Sequence, residues 1–310
     1  ESIKKINQFK NIKIIDSKKD VLTKLNFADL FVGASGLSMY ELKLYNIPRI
    51  LFEMNDNQKC KTNAHDKLGN FFVLKKNDLM KSKKISKLIN LICKKYKLMA
   101  AFKSKDLYQV DDGGAERIAK YILNKKTISK KNIYTNKYVP KKKEYYLKKT
   151  DLTQINSSLI FRNHKINMAN SINKRKIKSI DHYIWWLSSN RISYGFYKNS
   201  KLLINLFHDV VKIDNKKWII PGWYTNPENK GGFLDILKGI HFHYFKKIRF
   251  IEKKLKIHSL SLIKKENQSM LLFAKKIKWK QVHENNKKIL TICKKYFKNA
   301  STNFFNFYIR

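Results

Sequence analysis

Residues 28–58 read ADLFVGASGLSMYELKLYNIPRILFEMNDNQ, and their order of apolar and small residues predicts a strand–loop–helix–strand unit. The apolar residues 30–32 predict a strand that leads into the small residues of the loop 33–36. A helix follows, then a second strand at 47–52 and a polar loop. A loop of small residues that opens a helix leaves N–H groups unpaired at the positive end of the helix dipole, where phosphate binds. For a Gly-x-x-Gly loop alone, a tight turn without a ligand is the alternative.

Strand and helix patterns continue to alternate around this unit. Residues 12–15 and 71–74 predict strands, and residues 84–98 carry apolar side chains at helical spacing. The turn 111–114 leads into a closing helix at 115–123. Such alternation predicts an α/β fold with a parallel sheet and with ligands at the carboxyl ends of its strands.

Length and composition predict two soluble domains. The chain has 310 residues, 43% of them hydrophobic, and no apolar run reaches the ~20 residues of a membrane helix. Cys60, Cys93 and Cys293 lie far apart, which predicts neither a disulfide framework nor a metal site and fits a reducing cytoplasm. Because the chain begins at Glu1 within helical patterning, we expect an N-terminal domain to precede it in the full-length protein.

The formal net charge of +44 raises the question of nucleic-acid binding. Only seven of the 67 basic residues are Arg, and the lysines are spread through every segment. Base readout and bidentate phosphate binding favour clustered arginines, so the pattern predicts no dedicated nucleic-acid site. A non-enzymatic, basic RNA-binding protein remains one alternative.

The first segment, residues 1–125, resembles the C-terminal, UDP-binding half of GT-B sugar-nucleotide enzymes. The shared residues are GASG at 33–36, IP at 47–48, NDNQ at 55–58 and the turn DDGGAER at 111–117. They are closest to the UDP-sugar hydrolase of the pseudaminic acid pathway. The resemblance implies a truncated, Rossmann-like half of a GT-B fold. In that family the catalytic base belongs to the N-terminal domain, so this half is expected to bind UDP without hydrolysing a substrate by itself.

The same resemblance implies a set of UDP-sugar contacts. The diphosphate would lie in the loop that begins at Gly33, on the amides of Ser35, Gly36, Leu37 and Ser38. Glu41 would accept hydrogen bonds from the ribose, and Asn57 and Gln58 would line the sugar side. The alternatives are that Glu41 stabilises the first turn of its own helix and that Gln58 is a neighbour of a helix N-cap.

Residues 126–150 are rich in Lys and predict a solvated linker. The second segment, 151–310, predicts a helix from Ser179 to 187, strands at 192–197, 201–208 and 217–224, and hairpin turns at 199–200 and 214–215. A Gly-containing loop at 226–232, a long helix at 233–250, a strand at 257–263, a helix at 270–276 and a last strand at 304–309 follow. This Gly loop before a helix is a second candidate phosphate cradle.

The second segment resembles the GNAT N-acetyltransferases over nearly its whole length. The residues that carry the resemblance are RN at 162–163, SIDHYIWWL at 179–187, PENKGGFLDILKGIHFHYF at 227–245 and ENQSMLLFAKKIKW at 266–279. They are similar to the sugar-nucleotide branch of that family. The resemblance implies a GNAT α/β acetyltransferase domain with acetyl-CoA as its cofactor.

By that resemblance, the amides of Lys230, Gly231, Gly232 and Phe233 hold the pyrophosphate of acetyl-CoA. Asn267 and Ser269 would contact its pantetheine or adenosine part, and residues 218–224 would form the splayed strand that positions the thioester. The acceptor side would consist of Arg162, Asn163, His182 and Trp185. Core packing is the alternative for Trp185, and an imidazole satisfied by the main chain is the alternative for His182.

Two positions depart from the GNAT pattern. Glu228 stands where the family begins its phosphate loop with Gln or Arg, and Phe273 stands where many members use a tyrosine to protonate the leaving thiolate. The catalytic roles are therefore assigned to His182 and Tyr194.

Together the two resemblances predict a cytoplasmic, bifunctional protein of nonulosonic-acid biosynthesis. Its C-terminal domain would acetylate the 4-amino group of a UDP-amino-deoxy sugar, and its N-terminal half would bind a UDP-sugar. A glycosyltransferase remnant fused to an acyltransferase of another amine is the second alternative.

Overall fold

A computed structural model describes the chain in segments that contain most of the elements predicted above. The described residues are 11–12, 27–36, 42, 47–58, 71–101, 113–124, 144–213, 215–228, 232–283, 286–297 and 305–309. The chain forms two compact units, one of Glu1–Lys81 with Lys95–Ile128 and one of Ser82–Lys94 with Ser129–Arg310. Among the described residues, no helix combines the length and apolar character needed to cross a bilayer.

The first unit contains a parallel three-stranded sheet in the order β1-β2-β3, as the sequence predicts. In the central strand, Ile50 and Leu51 are fully buried, which is typical of a parallel strand covered on both faces. The strands of this unit are β1 (Phe31–Ala34), β2 (Arg49–Glu53) and β3 (Phe71–Lys75), and its helices are α2 (Tyr96–Ala101) and α3 (Gly114–Asn124). Most of the predicted strand at 12–15 lies outside the described residues.

Helix α1 (Ser82–Lys94) was expected in the first domain but belongs to the second unit. Its apolar stripe buries Leu88 and Ile92 completely, and the helix packs against α6 (Ser179–Ser188). Lys84 Nζ also lies 2.6 Å from Asp181 Oδ1 of α6. The periodicity of a helix shows which face is buried but not which partner covers it, so only tertiary structure could assign this helix.

The second unit is built on a seven-stranded mixed sheet in the order β4-β5-β6-β7-β8-β10-β9. Every described neighbour pair in this sheet is antiparallel except β7 and β8, which are parallel. The strands are β4 (Tyr145–Lys149), β5 (Ile192–Lys198), β6 (Lys201–Ile213), β7 (Lys216–Thr225), β8 (His258–Lys264), β9 (Lys280–Gln281) and β10 (Phe305–Ile309). All five strands predicted for this segment are confirmed.

The two predicted hairpin turns are also present. Asn199 and Ser200 have φ values of 48° and 66°, the left-handed pair that a two-residue type I′ turn requires. Asn215 has a φ of 64° in the next turn. The predicted linker, in contrast, ends too late, because β4 lies within it and pairs with β5. Lysines at 148 and 149 on an exposed edge strand obscure the strand pattern in the sequence.

Helices cover both faces of the sheet. They are α4 (Ile155–Asn163), α5 (Lys165–Ala169), α6, α7 (Phe233–His243), α8 (Arg249–Leu255), α9 (Gln268–Lys276) and α10 (Lys287–Tyr296). A π-helical turn, Tyr244–Ile248, joins α7 to α8, so the predicted helix at 233–250 is confirmed with an interruption.

Side chains alternate along β6 and so divide the core into two layers. Ile204 and Leu206 pack with residues of α7 and α9, in a cluster centred on the fully buried Phe196. Ile213 packs on the opposite face, with Ile292 and Cys293 of α10.

Strands β7 and β8 run side by side only at their beginnings. Trp218 pairs with His258 and Ile219 with Ser259, and the two strands then separate while β7 continues to Thr225. Beyond Ile219, β7 therefore pairs with β6 alone, and a gap opens towards the carboxyl ends of the parallel strands. The sequence predicted both strands, and the GNAT resemblance implied that the strand at 218–224 splays away from its neighbour; the sheet shows that the two strands separate after Ile219.

Candidate functional site

The gap between β7 and β8 leads into an apolar cleft beneath α7 and α9, here called the strand cleft. Gly222 and Trp223 of β7 and Ser261 of β8 line its two sides. Apolar side chains complete it, contributed mainly by the helices: Ile240, Tyr244, Ile248, Met270, Phe273, Ala274 and Ile277. Its cavity volume is about 30 Å³, room for one or two waters. A long ligand would therefore enter only if side chains such as Phe273 moved aside.

One polar atom of the strand cleft has no partner. The indole Nε1 of Trp279 is buried without a hydrogen-bond acceptor among the described residues, and Trp279 lines the cleft. A buried N–H that is left unpaired costs stability unless a ligand or water accepts from it. The cleft therefore offers an acceptor group, such as an amide carbonyl of a bound molecule, a hydrogen bond that the chain itself leaves open.

The Gly loop before α7 opens this helix as predicted. Gly232 is the N-cap, and Phe233 is the first helical residue. Lys230 and Gly231 lie outside the described residues. Glu228 is exposed, and its amide donates to Asn226 Oδ1 at 3.0 Å in a local turn. The first turn of α7 also contains Asp235, which accepts from the Tyr145 hydroxyl at 2.7 Å; this bond, together with Lys198, lowers the pKa of the carboxyl group.

Asn267 was predicted to contact the cofactor, and the structure gives its side chain a role in the fold itself. Its side-chain Oδ1 accepts from the amide of Met270 at 3.2 Å and so caps the N-terminus of α9. Ser269 lies in the first turn of the same helix and is half-buried. The geometry of this helix start explains why Asn stands at 267 without reference to a ligand.

Replacing Asn267 with Ala should destabilise the protein by about 1 kcal/mol, because α9 loses its cap. Asn267→Asp keeps an acceptor at the cap and should leave the free energy of unfolding within about 0.5 kcal/mol of the wild type. Urea unfolding followed by tryptophan fluorescence measures both. Equal stability of the Ala and Asp variants would contradict the capping role.

A larger polar cavity lies on the opposite face of β6, with a volume of about 240 Å³; it is here called the Arg162 cavity. Helices α4 and α6 cover it, and β6 and β7 form its floor. Its lining includes the predicted acceptor residues Arg162, His182 and Trp185, so the structure brings these three together. The others are Thr150, Ser158, Ile177, Trp186, Arg191, Ser193, Asn205, Leu206, Phe207 and Tyr224.

Leu206 lines both the strand cleft and the Arg162 cavity. The two spaces therefore approach each other at this residue, across the sheet next to the gap between β7 and β8. A molecule in one would meet a molecule in the other near Leu206.

Contrary to the prediction, Asn163 is not among the residues that line the Arg162 cavity. Its Nδ2 donates to Ile177 O and its Oδ1 accepts from Ile177 N, both at 2.8 Å. The side chain therefore ties the polar segment before α6 to α4, and both of its polar atoms are used within the chain. Sequence could not distinguish it from Arg162, because neighbouring residues of a helix point in different directions.

His182 is buried at 4% exposure, and its Nε2 lies 2.9 Å from the carbonyl oxygen of Ile155. A carbonyl can only accept, so Nε2 carries the proton and Nδ1 holds the free lone pair. Burial lowers the pKa of His182 to about 4, which keeps the ring neutral near pH 7. This weakens it as the predicted general base, although it still lines the cavity with an acceptor nitrogen.

Tyr194 is not among the residues that line either space. Its ring stacks on His208 and lies against His243, with centroid distances of 6.1 and 5.5 Å. The two histidines are 3.0 Å apart, from His208 Nδ1 to His243 Nε2. Burial lowers the pKa of His208 to about 4 and that of His243 to about 3. His243 lines the strand cleft, whereas Tyr194 does not. Tyr194 is therefore connected to the strand cleft through the pair of histidines.

In the first unit the predicted UDP contacts are partly engaged with the chain itself. Gly33 belongs to β1, where it pairs with Leu51, and is not part of the loop. The amide of Ser35 donates to Phe52 O at 3.0 Å and that of Gly36 to Ala34 O at 2.9 Å. These two amides are therefore not open to a diphosphate. Leu37, Ser38 and Glu41 lie outside the described residues.

The polar loop after β2 contains the other two predicted contacts. Gln58 Oε1 accepts from the amide of Met54 at 2.8 Å and closes this loop, and Asn57 is exposed beside it. This hydrogen bond within the loop explains the presence of Gln at position 58 without a contact to a bound sugar.

Several residues of the Arg162 cavity were not predicted, among them Thr150, Arg191, Asn205, Phe207 and Tyr224. Asn205 alone carried a signal: it is a polar residue at a position of β6 flanked by buried apolar neighbours. A buried polar residue in a strand usually has a specific partner. The others lie on strands or loops where their types are common, so their convergence depends on the pairing of distant segments.

No protein-family model matches the chain, and no curated protein matches it in sequence. Solved structures resemble about half of it. An N-acetyltransferase from Staphylococcus aureus Mu50 is 12% identical, with 54% of this chain and 98% of that chain covered and a TM-score of 0.40. The N-acetyltransferase PseH of Campylobacter jejuni is 13% identical over 54% and 98%, with a TM-score of 0.31. YncA of Salmonella typhimurium, solved with its cofactor acetyl-CoA, is 9% identical over 54% and 94%, with a TM-score of 0.40. Such values do not assign the chain to a family.

Proposed function

We propose that the second unit is an N-acetyltransferase that transfers the acetyl group of acetyl-CoA to the amino group of a UDP-amino-deoxy sugar. The observation that carries the proposal is the separation of β7 from β8, which opens the strand cleft beside the Arg162 cavity at Leu206. An acyl donor in the cleft and an amine in the cavity would meet across one residue. The motifs at 227–245 and 266–279 support the same assignment.

The main chain of β7 supports the placement of the donor. Within the separated part of β7, alternate residues turn their N–H and C=O groups away from β6 and towards the gap. An extended arm with amide groups would pair with them as a further strand does. The unpaired Nε1 of Trp279 adds a donor for a carbonyl of the same arm. These groups fit the pantetheine part of the cofactor.

The start of α7 supports the placement of the pyrophosphate. The first N–H groups of a helix lack intrahelical partners and attract anions. A Gly at the cap keeps that space open: within the described part of the chain, an added Cβ at Gly232 would meet Leu234 N alone, at 3.9 Å. Gly232 and Phe233 would therefore hold the phosphates, with Lys230 and Gly231 in the predicted loop before them.

When bound, acetyl-CoA supplies a thioester carbon to which the neutral amine forms a bond as the C–S bond breaks. The protein has to position the amine and accept its proton. His182 would orient the amine through Nδ1, since its lowered pKa keeps that nitrogen unprotonated. Since His182 stays neutral, the proton of the amine would leave to water. Phe273 offers no proton to the thiolate, so water would also return one there, hydrogen-bonded to Ser261, which lines the same cleft.

The assay for this function is the release of free thiol from acetyl-CoA in the presence of a UDP-4-amino-deoxy sugar. We expect thiol release that depends on the 4-amino group, with the same sugar lacking that group as the control. The absence of CoA binding at millimolar concentration would overturn the proposal. Turnover with a simple amine but not with the nucleotide sugar would favour an acyltransferase of another amine.

Gly232→Asp and Gly232→Asn form a matched pair at the start of α7. Both side chains are good N-caps, so neither should destabilise the helix. The carboxylate of Asp would repel the pyrophosphate, and we expect it to weaken CoA binding by about tenfold or more, or ~1.4 kcal/mol, relative to Asn. Calorimetric titration with CoA measures the difference. Equal affinities of the two variants would remove α7 from the binding site.

The finer assignment to a nonulosonic-acid pathway rests on the resemblance of both segments to enzymes of sugar-nucleotide metabolism. On the same resemblance, we propose that the first unit binds UDP. Titration of the wild type and of the Glu41→Gln variant with UDP tests it. Loss of the ribose contact should weaken UDP binding by about tenfold or more, the effect of one hydrogen bond to a charged group.

A further inference from the structure

Arg162 is a buried cation without a counter-ion. Its side chain is 5% exposed, and Nη2 donates to the carbonyl oxygen of Asn173. Nη1 is buried and has no hydrogen-bond partner, and no acidic side chain among the described residues forms an ion pair with it. Buried charges in proteins are normally paired, because removing a charge from water costs several kcal/mol. Arg162 also lines the Arg162 cavity, so a ligand there would lie beside this unpaired charge.

Two further buried polar atoms of the same cavity have no partner. They are Thr150 Oγ1, at the end of β4, and Asn205 Oδ1, on β6. The amide of Asn205 bonds Ser158 Oγ at 3.2 Å through its other atom. Either orientation of this amide leaves one of its polar atoms unpaired. Three segments that are distant in sequence therefore each line one space with a residue that has an unpaired polar atom, which is the arrangement of a ligand site.

Arg162 supplies the unpaired positive charge of the cavity. The second arginine of its lining, Arg191, binds Asp209 through two pairs of atoms, at 2.6 Å from Nη2 to Oδ2 and 3.0 Å from Nε to Oδ1. Its guanidinium is also enclosed, at 4.0 Å from the Phe207 ring centroid and 4.6 Å from that of Trp185. Among the residues that the structure describes, none of those lining the cavity is acidic. A cationic group alone would therefore be repelled, and an anion would be neutralised.

The aromatic side chains of the cavity indicate which other chemical groups its ligand contains. Trp185, Trp186, Phe207 and Tyr224 surround the polar atoms. Aromatic faces pack well against rings and the C–H groups of ring substituents. The volume of about 240 Å³ is just below the usual range of small-molecule pockets, which suits one ring that carries one charged group.

We propose that the Arg162 cavity binds an oxyanion, a carboxylate or a phosphate, carried by the ring-bearing amine acceptor. Arg162 is its cationic partner, and Thr150 and Asn205 are its neutral hydrogen-bonding partners. The inference rests on the proposed acetyl transfer and specifies how the acceptor is held. An oxyanion on or next to the amine-bearing ring binds Arg162, and no carboxylate of the described cavity lining binds the ammonium group.

Binding of three amino sugars to the full chain tests the inference and distinguishes the two oxyanions. Glucosamine has no anion, glucosamine 6-phosphate adds a phosphate, and 2-amino-2-deoxyglucuronate adds a carboxylate. By calorimetry we expect one of the two anionic sugars to bind at least about tenfold more tightly than glucosamine, the effect of one hydrogen bond to a charged group. Equal binding of all three, or no binding at 10 mM, would overturn the proposal.

Arg162→Met should abolish this preference for the anion without unfolding the protein, because the Met side chain fills the same apolar space and removes an unpaired buried charge. Arg175→Gln is the matched control, since Arg175 is an exposed cation in the segment that Arg162 contacts. It should keep the preference. An unchanged preference in Arg162→Met would overturn the assignment.

Thr150→Val provides an independent variant in case Arg162→Met fails to fold. The two side chains have the same shape, and the hydroxyl that is lost has no partner in the protein. We expect unchanged or slightly higher stability and about fivefold weaker binding of the anionic sugar. Unchanged binding in this variant would also count against the site. CoA affinity is measured in parallel: normal CoA binding without anion binding rejects this inference alone, whereas loss of CoA binding in the wild type rejects the proposed function.

Discussion

Lowering the pH from 7 to 5 is expected to reduce the free energy of unfolding of the second unit by about 6 kcal/mol. His182, His208 and His243 are buried, and burial lowers their pKa values to about 4, 4 and 3. An unfolded histidine has a pKa near ~6.5. Between about pH 6.5 and pH 4 the unfolded chain therefore binds protons that the folded chain excludes, and stability falls with pH. Each histidine contributes about 2 kcal/mol to this loss.

Tryptophan fluorescence reports this transition selectively, because all five Trp residues lie between 185 and 279, within the second unit. Denaturant unfolding at pH steps from 7.5 to 4.5 gives the slope. His182→Gln keeps a donor for the carbonyl of Ile155 but cannot be protonated, so its loss between pH 7 and 5 should be smaller by about 2 kcal/mol. His283→Gln, at an exposed histidine, should follow the wild type. A stability that stays constant down to pH 5 would contradict the buried neutral histidines.

Phe196→Ala should destabilise the second unit by about 3–5 kcal/mol, the usual cost of removing a large aromatic side chain from a core. Phe196 is fully buried between the sheet and α7. Its ring lies 5.7 Å from that of Tyr145 and 5.7 Å from that of Phe242. The midpoint of urea unfolding, followed by tryptophan fluorescence, measures the effect. Phe250→Ala is the control: Phe250 is 65% exposed, and its loss should change stability by no more than about 0.5 kcal/mol.

Gly239 adds a test of the packing that surrounds Phe196. A Cβ at Gly239 would lie 2.7 Å from the Phe196 ring, so Gly239→Ala alone overpacks the contact between α7 and the sheet. In the Phe196→Ala background the same methyl group would enter the space left by the ring. We expect a favourable coupling of about 1 kcal/mol between the two substitutions. Simple additivity would show that α7 does not rest on Phe196.

The strands of the second unit were predictable because their side chains alternate and their turns contain Asn and Ser at positions with positive φ. The helices α7 and α9 were predictable from the Gly and Asn residues that begin them. These are local signals, and each was confirmed. The lysine-rich strand β4 was missed, since its charges hide the alternation at the edge of the sheet.

The candidate site could be predicted only in part. Arg162, His182 and Trp185 do meet in one cavity, as the resemblance implied. Asn163 and Asn267, in contrast, bond the main chain, and Tyr194 lies with the two histidines away from both spaces. Whether a polar side chain faces a cavity or a neighbouring carbonyl depends on a few ångströms of packing, and no sequence pattern encodes that distance.

The sequence by itself determined the order of the five predicted strands of the second unit, the helices α6, α7 and α9, and the small-residue loops, because these follow from periodicity and residue type within short segments. Only the tertiary structure decided that α1 joins the second unit, at which residue β7 leaves β8, and that Thr150, Arg162 and Asn205, each with an unpaired polar atom, line one cavity. The reason is that contacts between distant segments depend on how the sheet twists and pairs. The small-residue loop of residues 28–58 illustrates the difference: its composition predicted a phosphate site, while the described amides of Ser35 and Gly36 bond the neighbouring main chain.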